Sequence, residues 1–167
     1  MHAERRVCSR HKAPHAPEDK PFSRDGEPTA MSVPFMACMI VVASAYHLPP
    51  RVLPTIQAVE GGRTGAVHRN ADGSEDIGVM QVNTVWLQPL SHLTHLSEAE
   101  IRSRLIDKPC FNIAAAGFIL RSYLAETRGD LLHAVGDYHS HTRSLNQAYQ
   151  AKVLRFAVQM FPQARQD

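Results

Sequence analysis

One polar, turn-dense run, Arg63 to Val79, interrupts a chain whose apolar residues otherwise recur at helical spacing from Ser32 to Phe161. Gly, Asn, Asp and Ser crowd that run, and Asn70-Ala71-Asp72-Gly73 is its most turn-like part, so it predicts a small β-hairpin or irregular ribbon. The expected fold class is therefore α+β and mostly α, with a short β-ribbon inserted after the second helix. No internal repeat is present.

The first helix is expected over Ser32 to Tyr46, stopped by Pro49-Pro50. In RVLPTIQAVE, Val52, Ile56 and Val59 recur at helical spacing, Gly61-Gly62 supply the stop, and Pro54 leaves the start of that helix open. A short helix follows Asn83 through Trp86 to Leu90. Ser97-Glu98-Ala99-Glu100 reads as a capping box opening a helix to about Ile106. Pro109 precedes a long helix from Cys110 to Thr127, Gly129 ends it, and Asp130 is the expected N-cap of LLHAVGDYHS. The last helix is expected from Ser144 to Phe161.

With 167 residues, 44% hydrophobic and 20% charged, residues 31–167 can bury a core as one globular domain. Eighteen basic against sixteen acidic side chains leave a formal charge of +2, which supplies no electrostatic reason to invoke nucleic acid. Residues 1–30 hold five Pro or Gly and eleven charged side chains, and are expected to be a flexible tail without the apolar region of a signal peptide; Met31 is a candidate start. VPFMACMIVVASA, Val33 to Ala45, imitates such a region with a small-residue cleavage site, but it is too short to span a bilayer and reads first as a buried helix. Of the three cysteines, Cys8 falls in the tail. Cys38 and Cys110 are either two buried thiols or a bridge closing a loop of roughly 70 residues, which in the chain-entropy model would contribute about 4 kcal/mol.

Glu60 is the one acid of the second helix and stands at its C-terminal end, after Ile56, Ala58 and Val59. Apolar neighbours and the negative end of the helix dipole both disfavour a carboxylate there, so its pKa is expected to rise. A carboxylic acid that stays protonated near neutrality is what glycosidic bond cleavage requires of a proton donor. The plainer reading is an exposed Glu beside two glycines.

Within twenty residues follows HRNADGSEDIGVMQVNTVW, His68 to Trp86. This run resembles the active-site ribbon of C-type lysozymes and, more closely, of the specialised lytic transglycosylases that accompany secretion or conjugation systems. DKPCFNIAAAGFIL and AVGDYHS resemble later segments of the same family, in the same order, so the likeness covers roughly Pro34 to Val158. It implies a lysozyme-like fold that cleaves peptidoglycan glycan strands, with no cofactor, no transmembrane anchor, a place in the periplasm or cell envelope, and the machinery of a secretion, conjugation or pilus system as partner. It also implies a Cys38–Cys110 disulfide.

Carried onto this chain, the resemblance makes Glu60 the catalytic acid and then base, and Asp76 the second carboxylate that stabilises charge on the sugar. Turn capping is the plainer role for Asp76. Strand alternation puts Glu75 on the opposite face, solvated. Gly78 is expected to let the backbone pass close to a sugar ring, Met80 to form an apolar wall, and Gln81 and Asn83 to share one face as amide partners for the substrate. Met80 as core and Asn83 as a helix cap are the plainer alternatives. Tyr138 matches a tyrosine beside the acid, and His139 and Ser74 join the substrate-binding set. Trp86 and Tyr149 have faces suited to sugars but fall at helical positions that read as core. The family carries Ser directly after the acid where this chain has Gly61, a departure that implies either low activity or compensation by Ser74 or Ser140.

His139-x-His141 and His92-x-x-His95 lack the spacing of a metal-ligand set, and no metal is expected. Two other functions fit the same residues: a hydrolytic muramidase, and a catalytically weak glycan-binding assembly module.

Overall fold

The computed structural model describes residues 33–162, so the tail expected over 1–30, with Cys8, lies outside the described residues. Among the described residues, seven α-helices accompany a three-stranded antiparallel ribbon: α1 (Met36–Ala45), α2 (Val52–Glu60), β1 (Val67–Arg69), β2 (Glu75–Ile77), β3 (Val82–Asn83), a 3₁₀ turn (Thr84–Trp86), α3 (Leu87–Thr94), α4 (Glu98–Asp107), α5 (Pro109–Glu126), α6 (Leu131–His139) and α7 (Arg143–Met160). The α+β, mostly α expectation holds.

The helix ends follow the local chemistry. Pro54 sits in the first turn of α2, where its missing N–H costs nothing, and Gly61 closes the helix in the left-handed region with φ 63°. Pro109 opens α5. Ser97 and Asp130 cap α4 and α6, accepting the backbone N–H of Glu100 and His133. Only half of the capping box forms: the Glu100 carboxylate turns outward to Arg104 instead.

Along the ribbon, Asp76 lies opposite His68 on one side and Asn83 on the other. The core runs beneath it, with Met39, Leu53, Ile56, Ile77, Met80, Ile113 and Leu120 all fully buried. A disulfide joins Cys38 of α1 to Cys110 of α5, with Cα atoms 5.5 Å apart. α7 packs against α2 and α6, which brings the last helix to the end of α2. Among the described residues no helix is long and apolar enough to cross a membrane.

Two buried polar devices fix the ribbon to the helices. Asn112, fully buried on α5, accepts the Met80 N–H at 2.9 Å and donates to the carbonyls of Ile77 and Leu105 at 2.8 and 3.0 Å. Gly62, just past α2, lies so close to the ribbon that a Cβ there would overlap the backbone of Gly78 and Val79. This contact sets the spacing between Glu60 and the ribbon.

Candidate active site

A cavity of about 420 Å³ opens between the end of α2, the ribbon and the α5–α6 face. Glu60, Ser74, Asp76, Gln81, Asn83, Tyr138 and His139 line it, together with Asn70, Trp86, Tyr123 and Asp137. Gly78 and Met80 do not, and both expectations are corrected. Met80 is fully buried in the core, and a Cβ on Gly78 would strike the Asn112 amide and the Leu105 carbonyl. The close approach that demands glycine is to α4 and α5, at φ 74°.

Glu60 is partly buried at the cavity wall. Burial pushes its carboxyl above the ordinary value; a hydrogen bond from Tyr149 and the nearby Lys152 charge oppose that rise, and Asp76 adds to it. The Tyr149 hydroxyl donates to Glu60 Oε1, and burial beside that carboxylate holds the phenol well above its ordinary pKa. Lys152, one turn further along α7, donates to the Val59 carbonyl at 3.3 Å and so places a cation at the negative end of α2.

Tyr138 lies near the acid, as expected: burial first and the Glu60 charge next hold its phenol well above the ordinary value, while its hydroxyl donates to the Met80 carbonyl at 2.9 Å and anchors the ribbon turn. Tyr149, read from the sequence as core, is indeed 5% exposed, and it is also the residue that grips Glu60. The available signal was that a buried phenol must find a partner for its hydroxyl, and α2 carries one acid.

Asp76 is held differently. Asn83 Nδ2 donates to its Oδ1 at 2.8 Å and Asn70 Nδ2 to its Oδ2 at 3.0 Å, so each oxygen receives a carboxamide. Asn83 also caps the 3₁₀ turn by accepting the Val85 N–H at 3.0 Å, so its two expected roles coexist. Gln81 reaches the cavity because its backbone is left-handed, φ 50°, before β3 begins, and not because it shares a strand face with Asn83. Its amide donates to the Gly78 carbonyl at 2.7 Å, and its oxygen meets the His68 ring.

Alternation does separate Glu75 from Asp76, but Glu75 is paired, not solvated. Arg102 Nε and Nη2 donate to its Oε2 at 2.9 and 2.7 Å, and its side chain is 16% exposed. The Ser74 hydroxyl lines the cavity but donates to Asp72 at 2.7 Å, which leaves no free hydrogen to replace a serine at Gly61; Ser140 also lines it, and its oxygen accepts the Thr142 N–H. Among the described residues no group of three or more His, Cys, Asp or Glu converges to hold a metal ion.

The chain is 29% identical over 106 residues to Protein IpgF of Shigella flexneri, a match covering 63% of this chain and 66% of that protein. Invasion protein IagB of Salmonella typhimurium (strain SL1344) is 28% identical over 106 residues, covering 63% of this chain and 62% of the relative. Each match spans a little less than two thirds of the relative's own length. The family model described as Transglycosylase SLT domain matches residues 37–153, more than half of the chain, including Glu60, the ribbon and Tyr149. On that match, the chain belongs to the transglycosylase SLT domain family.

Proposed function

We propose that the domain is a peptidoglycan lytic transglycosylase that cleaves the β-1,4 bond between N-acetylmuramic acid and N-acetylglucosamine. The observation that carries this reading is the buried carboxyl of Glu60 at the wall of a cleft whose other wall presents Asp76. Glu60 donates its proton to the glycosidic oxygen as the muramoyl C1–O bond breaks. Its carboxylate then takes the proton of the 6-hydroxyl while O6 bonds to C1. A 1,6-anhydro ring forms, Glu60 ends protonated, and no water is consumed. Asp76, its oxygens fixed by Asn70 and Asn83, lowers the energy of the positive charge on the sugar. Ser74, Gln81, Asn83, Tyr138 and His139 shape the groove that receives the glycan.

Family membership supports the substrate class. The Cys38–Cys110 disulfide supports an oxidising compartment, the periplasm or cell envelope, where peptidoglycan lies. The relative named an invasion protein supports a role in local wall opening for a secretion, conjugation or pilus apparatus.

A second reading, hydrolytic muramidase, is favoured by the firm support of Asp76: a carboxylate so placed can also hold a glycosyl intermediate for attack by water. Mass spectrometry of muropeptides released from purified sacculi separates the two. The transglycosylase yields 1,6-anhydro ends; reducing ends would replace it with the muramidase, and no release at all would point to a glycan-binding assembly module.

A further inference from the structure

We propose that His139 is a positioning residue whose imidazole, stacked flat on the Tyr149 phenol, fixes and shields the ring that grips Glu60. This rests on the reading of Glu60 as proton donor. The two rings lie within 7° of parallel with centroids 4.8 Å apart. Tyr149 is buried and absent from the cavity lining, whereas His139 is exposed and lines it, so the imidazole stands between the cleft and the phenol. A tyrosine side chain turns about two torsions. Its hydroxyl bond to Glu60 fixes the tip, and the stack fixes the plane of the ring.

The position of His139 in the fold makes that placement firm. It is the last residue of α6, whose N-terminus is capped by Asp130, and α6 is locked to α7 through Asn146, which donates to Asp137 at 2.8 Å and to the His133 carbonyl at 3.3 Å. Gly136 faces the Asn146 amide so closely that a Cβ would overlap it, so the two helices meet at short range one turn before His139 and one turn before Tyr149. The cleft's second histidine, His141, and His68 on the ribbon engage elsewhere. His141 meets Tyr123 edge-on at 5.1 Å and lies 3.9 Å from Glu126, and His68 contacts Gln81. Those contacts lead away from Glu60.

The alternative is direct contact of His139 with substrate, and steady-state kinetics of the full chain on solubilised, uncross-linked glycan strands separates the two. His139→Ala is expected to lower kcat about tenfold while KM changes less than about twofold. His139→Phe, which keeps a flat ring over Tyr149, is expected to recover most of the rate; His139→Gln, which keeps hydrogen bonding without a ring, is not. In a Tyr149→Phe background the His139→Ala effect is expected to shrink below about twofold, because the two side chains act as one unit. A raised KM at unchanged kcat, no rescue by Phe, or effects that simply multiply would each overturn the proposal. Glu60→Gln measured alongside keeps the two ideas apart: its retained activity would remove the acid role itself, whereas its inactivity with a wrong His139 signature would remove only the positioning role.

Discussion

The two walls of the cleft hold their carboxylates in opposite ways. Glu60 ends a helix, is partly buried and receives one phenol hydroxyl, and its carboxyl rises above the ordinary value chiefly through that burial. Asp76 sits mid-ribbon with a carboxamide on each oxygen, within a net of side chains that includes Ser74 and Asp72. A dry wall favours the neutral acid, and a wall of amide donors suits an anion. On the proposed mechanism, two similar side chains thereby receive different work from their surroundings: proton transfer for one, stabilisation of charge for the other.

The largest expected effect breaks the dry wall. Glu60→Gln keeps the shape and the Tyr149 contact but removes the proton, and the rate of sacculus digestion is expected to fall about 10³-fold. Next comes the anchor of the polar wall. Asn112→Ala removes three buried hydrogen bonds and leaves the Met80 N–H and the Ile77 and Leu105 carbonyls short of partners, so denaturant unfolding is expected to show a loss of about 3 kcal/mol. Asp76→Asn tests the polar wall itself. It removes the charge and turns one acceptor into a donor facing Asn70 or Asn83, with an expected loss in kcat of about 30-fold and an unchanged product. A new product distribution would show that Asp76 chooses the acceptor.

The smallest effect sharpens the comparison most. Tyr149→Phe deletes the hydrogen bond that favours ionised Glu60, so the carboxyl should rise further. Since the donor must be protonated, the alkaline limb of the kcat profile should move to higher pH, with a rate loss of about tenfold at its maximum. A limb that moved to lower pH would mean that Tyr149 supports the neutral acid.

The helices, the ribbon and most caps were legible because they depend on neighbours in sequence: Ser97, Asp130 and Asn83 each satisfy a backbone N–H two or three residues away. That Glu60 and Asp76 face one cleft was legible through the ordered motifs that connect them. Met80 and Gly78 were misplaced because an apolar side chain and a glycine were read as facing a sugar, whereas the one is core and the other packs on Leu105 and Asn112; the strand face shared by Gln81 and Asn83 was carried through a turn, where the left-handed Gln81 breaks it. The contacts of Tyr149 and Asn112 with the candidate site were missed for a different reason. Periodicity reports that a side chain is buried but not which atom it meets, and their partners lie 89 residues away for Tyr149 and up to 35 for Asn112.

Protonation of Glu60 is the point on which the difference between the walls turns, and it can be followed directly. A carbon-detected NMR titration of the Glu60 side-chain carboxyl, assigned by comparison with Glu60→Gln, is predicted to give a midpoint above the ordinary glutamate value and a still higher one in Tyr149→Phe. A midpoint at or below the ordinary value would contradict the acid role assigned to the dry wall.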